Sequence, residues 1–482
     1  MKIILIKFLI LFILGNSWSE DEKNLSISKN PNIIIIFTDD QGYQDLGCYG
    51  SENIKTPNID RLARSGMKFT DFYVVSPVCT PSRAGLLTGK YPKRLGLAKG
   101  VLFPNSKDKG LAPMENTIPK FLKNKGYKTA CIGKWHLGHR QKYLPTLNGF
   151  DYYFGVPYSN DMWIAPELKL DQNILLRENI KEDDLKIMRE VGGLNSWAEA
   201  RIYNNRVPLM KNELVVEFPA NQATLTKRYT EESIKFIRKN NNDPFLIYLT
   251  PAMPHIPLFA SEKFLGKSEA GLYGDTIEEI DWAIGEIITA LEKQNLIKNT
   301  LIIFTSDNGP ALRFNEHGGH AFPLRSGKAT VFEGGMRVPC IMHYPYMIPS
   351  NSICNNVITT LDIFPSIIDL FSDEADNSID GRSFIPLFKD LELIDDVPFI
   401  YYSTQGKATA IRLGSWKLIF SIPVGDYAES NEVNKYKGKS FSPELYNLSS
   451  DISEQNNLYG LYPKVAEELF KKAIQKINEI ER

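Results

Sequence analysis

Two unbroken apolar runs, each closed by a pair of oxygen-bearing side chains, constrain this chain more than any other feature. The first is Ile33-Ile34-Ile35-Ile36-Phe37, bounded by Pro31-Asn32 and followed by Thr38-Asp39-Asp40. The second is Leu301-Ile302-Ile303-Phe304, followed by Thr305-Ser306-Asp307-Asn308-Gly309. A β-branched run without alternation belongs to a strand buried on both faces, the habit of parallel sheets covered by helices. In open α/β sheets ligands bind beyond the carboxyl ends of the strands. Neighbouring carboxylates there repel unless a cation or a proton lies between them. A single Asp-Asp turn is ordinarily just solvated. Two strands that each end in an oxygen pair point to a cation site built from Asp39, Asp40, Asp307 and Asn308. With no cysteine or histidine among those four, the donors suit a hard cation such as calcium better than zinc.

A nucleophile candidate lies between the two runs. Phe72-Tyr73-Val74-Val75 reads as a strand, Ser76-Pro77 ends it, and Val78-Cys79-Thr80-Pro81-Ser82-Arg83 leads into the small-residue stretch Ala84-Gly85-Leu86-Leu87-Thr88-Gly89. This places Cys79 at the mouth of a helix, where the macrodipole favours negative charge, with Arg83 one turn further on the same face. Local physics leaves two readings: an activated low-pKa thiol, or a small buried hydrophobe.

Basic residues gather at other predicted strand ends. Gly133-Lys134-Trp135-His136 follows the strand-like Tyr127-Lys128-Thr129-Ala130-Cys131-Ile132. Lys134 and His136 are two apart, so in extended chain they point the same way and suit an oxyanion and a proton shuttle. A surface lysine beside a structural histidine is the plainer alternative. Asp243 to Leu249 reads as another strand, and at its end three prolines, Pro251, Pro254 and Pro257, fix the backbone around His255. The aromatic, Gly- and Pro-punctuated stretch from Leu144 to Asp161 suits a pocket wall, with Ser159 in it and aromatic rings from Tyr152 to Trp163 that suit stacking on a ligand face. Glu333 and Arg337 have the spacing of a structural ion pair, and His317 and His320 sit in a Gly-rich stretch that reads as exposed.

Cys79-Thr80-Pro81-Ser82-Arg83 with Leu86-Leu87-Thr88-Gly89 resembles the signature of type I, formylglycine-dependent sulfatases, of the arylsulfatase A and N-acetylgalactosamine-6-sulfatase kind. Thr56-Pro57-Asn58-Ile59-Asp60-Arg61-Leu62-Ala63, Gly133-Lys134-Trp135-His136-Leu137-Gly138 and Leu324 to Pro339 are similar to further motifs of that family, in the same order. The resemblance spans about residues 30 to 460 and is weakest from Met162 to Asn221. It implies an alkaline-phosphatase-superfamily-like α/β fold: a large mixed, mostly parallel sheet flanked by helices, with a smaller C-terminal antiparallel sheet plus helix. It also implies that Cys79 is oxidised to Cα-formylglycine (3-oxoalanine) by a formylglycine-generating or sulfatase-maturating enzyme. The catalytic set it implies is Cys79, Arg83, Lys134, His136, His255 and Lys328, with Ser159 on the sulfate. Calcium would be held by Asp39, Asp40, Asp307, Asn308 and the modified Cys79. His255 would protonate the departing alcohol, and His136 would take a proton from the second hydroxyl of the hydrated aldehyde. The substrate class would be sulfate esters, commonly on sugars.

The N-terminus carries Lys2 and Lys7 around the apolar run Ile3 to Leu14, which ends near Ser17-Trp18-Ser19. That is the pattern of a secretory signal peptide over residues 1–19, too short to span a bilayer comfortably. It predicts an exported protein with no stable membrane span after cleavage. The expected division is a catalytic domain over 25–365 and a smaller α+β part over 366–482, with a composition shift near Pro365 to Asp380 between them. With 56 basic and 57 acidic residues the net charge is −1, so no global field recruits nucleic acid. Five cysteines leave four for at most two bridges if Cys79 is consumed. Two other classes stand beside the sulfatase reading. A metal-dependent phosphatase or phosphodiesterase of the same superfamily would want a Ser or Thr nucleophile and usually two transition metals. The other class is an unmodified, non-catalytic secreted binding protein.

Overall fold

The computed structural model describes residues 30–373, 377–390, 394–421 and 441–482. The expected signal peptide lies outside the described residues. Both apolar runs form fully buried strands, Asn32–Thr38 and Thr300–Ser306, which pair in parallel with Asn32 opposite Thr300 and Thr38 opposite Ser306. That register brings Asp39-Asp40 and Asp307-Asn308 out at the same sheet edge. Phe245–Thr250 and Lys128–Gly133 extend the parallel set on the other side, so Lys134 and the His255 segment also emerge at that edge.

The full sheet has eleven strands, and its central run of parallel neighbours is flanked by antiparallel pairings. One of these is Thr300–Ser306 with Cys340–His343. Helices Leu225–Lys239 and Gly271–Lys293 pack on the sheet, where 15 residues of the longer helix are buried. Each carries apolar residues at helical spacing, and the aspartates that the longer helix buries with them are satisfied by backbone N–H groups, Asp275 by those of Gly266, Lys267 and Ser268 and Asp281 by those of Asn58 and Ile59. Four antiparallel strands, Phe399–Tyr402, Ala408–Leu413, Trp416–Ile419 and Glu444–Asn447, form a second sheet, against which helix Pro463–Glu481 packs. The expected mixed, mostly parallel sheet with a small antiparallel C-terminal sheet plus helix is what the structure contains.

Three local features complete the fold. The chain from Met67 to Tyr73 splits: Met67–Phe69 joins the large sheet, whereas Phe72–Tyr73 pairs with Ile358–Thr359 and bridges to Arg337. Thr56 precedes helix Pro57–Arg64 without capping it, because its hydroxyl accepts from the Gly47 N–H and donates to Asp60 Oδ1. All five cysteines are free thiols. Cys340 and Cys354 both stand opposite Phe69, on strands to either side of it. That separates their Cα atoms by about 10 Å, beyond the roughly 7 Å that a bridge spans.

Candidate active site

The sheet edge collects four kinds of side chain at one point. Asp39, Asp40 and Asp307 are buried, and one ligand atom from each lies within 4.8 Å of the others and of Cys79. The backbone N–H of Asp40 donates to Asp307 Oδ1 at 3.2 Å, and Asn308 Nδ2 donates to Asp40 Oδ1 at 2.7 Å. Asn308 Oδ1 is buried with no partner, an acceptor turned away from every donor. Three carboxylates and one orphaned amide oxygen are hard donors that fit a calcium ion. Asp40 holds φ +64°, a left-handed turn that non-glycine residues rarely adopt and that clusters at functional sites.

Cys79 opens helix Cys79–Thr88, whose residues are all buried. Its Sγ lies 3.4 Å from Asp39 Oδ1 and 3.8 Å from Lys328 Nζ. Burial pushes the thiol well above its ordinary range, the Asp39 charge adds to that, and Lys134 and Lys328 oppose it without prevailing. Of the two local readings of Cys79, the small buried residue is the one its surroundings favour, because desolvation outweighs the helix mouth and favours the protonated thiol.

Three cations face the three acids. Arg83, fully buried, donates through Nε to Asp307 Oδ2 at 2.9 Å and through Nη1 to the Lys134 carbonyl at 3.0 Å, with Nη2 2.7 Å from Asp307 Oδ2. Lys134 Nζ reaches Asp39 Oδ2 at 2.5 Å and Ser159 Oγ at 3.2 Å. Lys328 Nζ lies 2.6 Å from Asp40 Oδ1. Burial works against the charge on Arg83, Lys134 and Lys328, and the carboxylates more than restore it. Burial likewise works against the Asp39 anion, but Lys134, His255 and Arg83 hold that carboxyl well below the usual range. Asp307 goes the other way: burial and the Asp39 charge push it up to about 7, against Arg83.

Both histidines are at the site. The strand before Lys134 ends at Gly133 (φ +117°), and His136 takes φ +60°, so the chain turns sharply and the expected extended alternation of Lys134 and His136 does not hold. A Cβ on Gly133 would sit 1.9 Å from the Thr250 carbonyl oxygen, so only glycine permits this exit. His136 Nε2 lies 2.9 Å from the Leu102 carbonyl, which can only accept, so Nε2 carries the hydrogen. Nδ1 is then a bare lone pair with no partner. Burial, then Lys134 and Arg83, keep this imidazole well below its usual range and hence neutral. His255 Nε2 lies 3.7 Å from Asp40 Oδ2, and Ser159 Oγ is 3.4 Å from the ring nitrogens.

A cleft opens over this cluster, lined by Cys79, His136, Ser159, His255 and Lys328 together with Val101, Phe103, Asp161, Met162, Leu312 and Arg313. The expected aromatic stacking wall is corrected. Tyr153, Tyr158 and Trp163 are buried, the Tyr158 hydroxyl accepts from the Ala165 N–H, and Tyr152 lies against Phe236. Phe103 and Met162 take that place in the cleft. Sequence reasoning missed Phe103, which nothing in its local pattern marks, whereas Ser159, Asp161 and Met162 come from the stretch expected to wall the pocket. It also missed Lys417 and Glu454, buried in the C-terminal part, which hold the Lys328 segment. Lys417 Nζ donates to the Val331 carbonyl and to Glu333 Oε1, each at 2.9 Å, and Glu454 Oε2 accepts from the Glu333 N–H at 2.8 Å. The predicted Glu333–Arg337 pair is present at 3.5 Å within this cluster. His320 is exposed, as expected, but paired with buried Asp45 at 3.1 Å.

Comparison with known proteins agrees with this arrangement. Residues 31–373 match the sulfatase family model, and residues 325–482 match the model described as N-sulphoglucosamine sulphohydrolase, C-terminal. The chain is 33% identical to the steryl-sulfatase of Homo sapiens over 94% of its own length and 87% of that protein's. It is 35% identical to the N-acetylgalactosamine-6-sulfatase of Rattus norvegicus over 80% and 71%. Among solved structures, Ps i-CgsB in complex with k-i-k-neocarrahexaose superimposes with a TM-score of 0.75 at 29% identity, covering 94% of each chain. With a family model over most of its length, an alkaline-phosphatase-like sheet, and relatives 33–35% identical over 80–94% of it, the chain belongs to the sulfatase family and is a sulfuric ester hydrolase.

Proposed function

We propose that this chain removes sulfate from sulfated carbohydrates, using calcium and a formylglycine made from Cys79. The observation that carries the proposal is the surrounding of Cys79: a protonated thiol at a helix mouth, among Asp39, Asp40 and Asp307, with Arg83, Lys134, Lys328, His136 and His255 around it. A plain thiolate has no use for that company, whereas an oxygen nucleophile attacking a sulfate does. Asp39, Asp40, Asp307 and Asn308 would hold the calcium together with the modified residue 79. Hydrated formylglycine supplies an oxygen nucleophile, and calcium lowers that hydroxyl's proton affinity and draws charge from the sulfate. Three buried acids balance three buried bases, so a divalent ion leaves the site net positive toward an anionic ester.

The chain's own residues then divide the work. Lys134 and Lys328 neutralise the equatorial sulfate oxygens, and Ser159 Oγ, already bonded to Lys134, orients one of them. Arg83 seats Asp307 and opposes the burial that favours its neutral form. His255 delivers a proton from Nε2 to the departing alcohol oxygen. His136 accepts one at its free Nδ1 when the second hydroxyl is deprotonated and sulfate leaves. One relative is an N-acetylgalactosamine-6-sulfatase and one structural neighbour was solved in complex with neocarrahexaose, which supports a carbohydrate leaving group here. We further propose that residues 25–365 form the catalytic domain and 366–482 a smaller part, and that the protein is exported and meets its maturating enzyme on the way.

Peptide mass spectrometry of exported, active protein tests the core of this reading. The expected result is an aldehyde or its hydrate at position 79, with Cys79→Ala inactive on every sulfate ester. An active preparation with only cysteine at 79, or a fully active Cys79→Ala variant, would overturn it.

A further inference from the structure

Two amides beside the site do more than fill space. Asn160 is fully buried next to Ser159, and its Nδ2 donates to Gln222 Oε1 and to the Pro257 carbonyl, each at 3.0 Å. A carbonyl oxygen can only accept, so the amide orientation is settled and Oδ1 is the atom that faces His255 Nδ1, at 3.1 Å. The Ile256 carbonyl approaches the same nitrogen at 2.6 Å. Two acceptors converge on His255 Nδ1, which must therefore bear the hydrogen. The ring's other nitrogen, Nε2, is left facing the cleft and Asp40.

Gln222 is fixed by the same logic. Its Nε2 donates to the Asn160 carbonyl at 3.1 Å and to the Asn205 carbonyl at 3.0 Å, which leaves Oε1 as the acceptor for Asn160 Nδ2. An unbroken series of directed hydrogen bonds runs from the Asn205 carbonyl through Gln222 and Asn160 to the imidazole. Asn205 and Gln222 lie in or just after the stretch from Met162 to Asn221, where resemblance to the family is weakest. That stretch therefore supplies the far end of the hydrogen-bond series.

We propose that Asn160 and Gln222 are positioning residues that hold a hydrogen on His255 Nδ1, so that the proton the doubly protonated ring gives to the leaving-group oxygen is the one on Nε2, and the ring is left neutral with its hydrogen on Nδ1. Neither touches the ester; both act through His255. This rests on the sulfate-ester reading and adds to it that the series aiming the proton donor is anchored outside the family motifs. A ring free to turn presents a carbon or the wrong nitrogen to the leaving group. The loss therefore falls on esters whose alcohol needs a proton and spares those whose leaving group departs as a stable anion.

The test compares the oxidised enzyme and its Asn160→Ala and Gln222→Met variants on 4-nitrophenyl sulfate and on a hexose 6-sulfate, with folding checked by thermal unfolding. Expected for Asn160→Ala is a fall in kcat on the order of 30-fold on the sugar ester but under about 3-fold on the nitrophenyl ester, with KM nearly unchanged. Gln222→Met shows the same split, at about 5-fold on the sugar ester. In a His255→Ala background neither substitution lowers kcat further. Nitrogen-15 NMR of histidine-labelled protein with Cys79 unoxidised reads the ring directly. At alkaline pH the wild type shows the Nδ1–H tautomer, and Asn160→Ala shifts it toward a mixture. Equal losses on both esters, an additive loss in the His255→Ala background, or an Nε2–H tautomer in the wild type would each overturn the proposal. If the oxidised wild type cleaves neither ester, the sulfate-ester reading fails instead, and the tautomer measurement still decides the role of Asn160.

Discussion

At Cys79 the helix mouth, Lys134 and Lys328 favour a thiolate while burial and Asp39 oppose it, and burial wins. The magnitude of desolvation decides what kind of residue this is, because a fully buried anion costs more than a helix terminus returns. The same competition runs at His343, which pairs with Ile302 at the edge of the parallel core and is 6% exposed. Burial and then Arg61 push its imidazole down to about 4. Its folded value lies below its unfolded value near 6.5, so the stability it contributes is complete above about pH 6.5 and is lost as pH falls toward 4. The shift corresponds to at most about 3 kcal/mol. Urea unfolding of wild type and His343→Leu between pH 7 and 4 should show the wild type losing up to that much more stability than the variant.

At the scale of elements, two strand ends bring their acids to one point because the register of Asn32–Thr38 with Thr300–Ser306 leaves no stagger between them. In the proposed calcium site, the ion binds the folded arrangement and not the separated strands. Removing it with a chelator should lower the unfolding free energy by about 3 kcal/mol relative to calcium at a hundredfold excess over Kd. Asp307→Ala should abolish that calcium dependence, as read by calorimetry. The exit of Lys134 from its strand is equally an element-scale matter. Gly133→Ala would force a Cβ to within 1.9 Å of the Thr250 carbonyl at a backbone angle of +117°, so a loss of about 3 kcal/mol or more is expected, with activity falling as Lys134 is displaced. Thermal unfolding and turnover measure the two effects separately.

At the scale of the whole molecule, the C-terminal sheet is wired to the chemistry through buried charge. Lys417, fully buried, sits between Glu333 and Glu454 at 2.9 and 2.8 Å and also holds the Val331 carbonyl, three residues from Lys328. Removing one partner of such a cluster leaves uncompensated charge, so Lys417→Met should cost on the order of 3–5 kcal/mol. It should also lower turnover at temperatures where the protein is still folded, a pair of outcomes that calorimetry and kinetics separate. The parallel core was legible in the sequence, because an unalternating run such as Ile33 to Phe37 is tolerated only in a strand covered on both faces. The strand-end acids, the helix mouth at Cys79 and the basic residues were legible too, since each lies beside its own strand or helix and local order places it. Phe103 in the cleft, the Gln222–Asn160–His255 series and the Lys417 cluster were not, because each joins residues dozens to more than a hundred positions apart through contacts that no local pattern encodes. What the sequence determined by itself was therefore which residues stand at the carboxyl edge. Which nitrogen of each histidine carries its hydrogen, and that the thiol stays protonated, were decided only by tertiary structure, because burial and hydrogen-bond direction exist only once distant segments have closed around them.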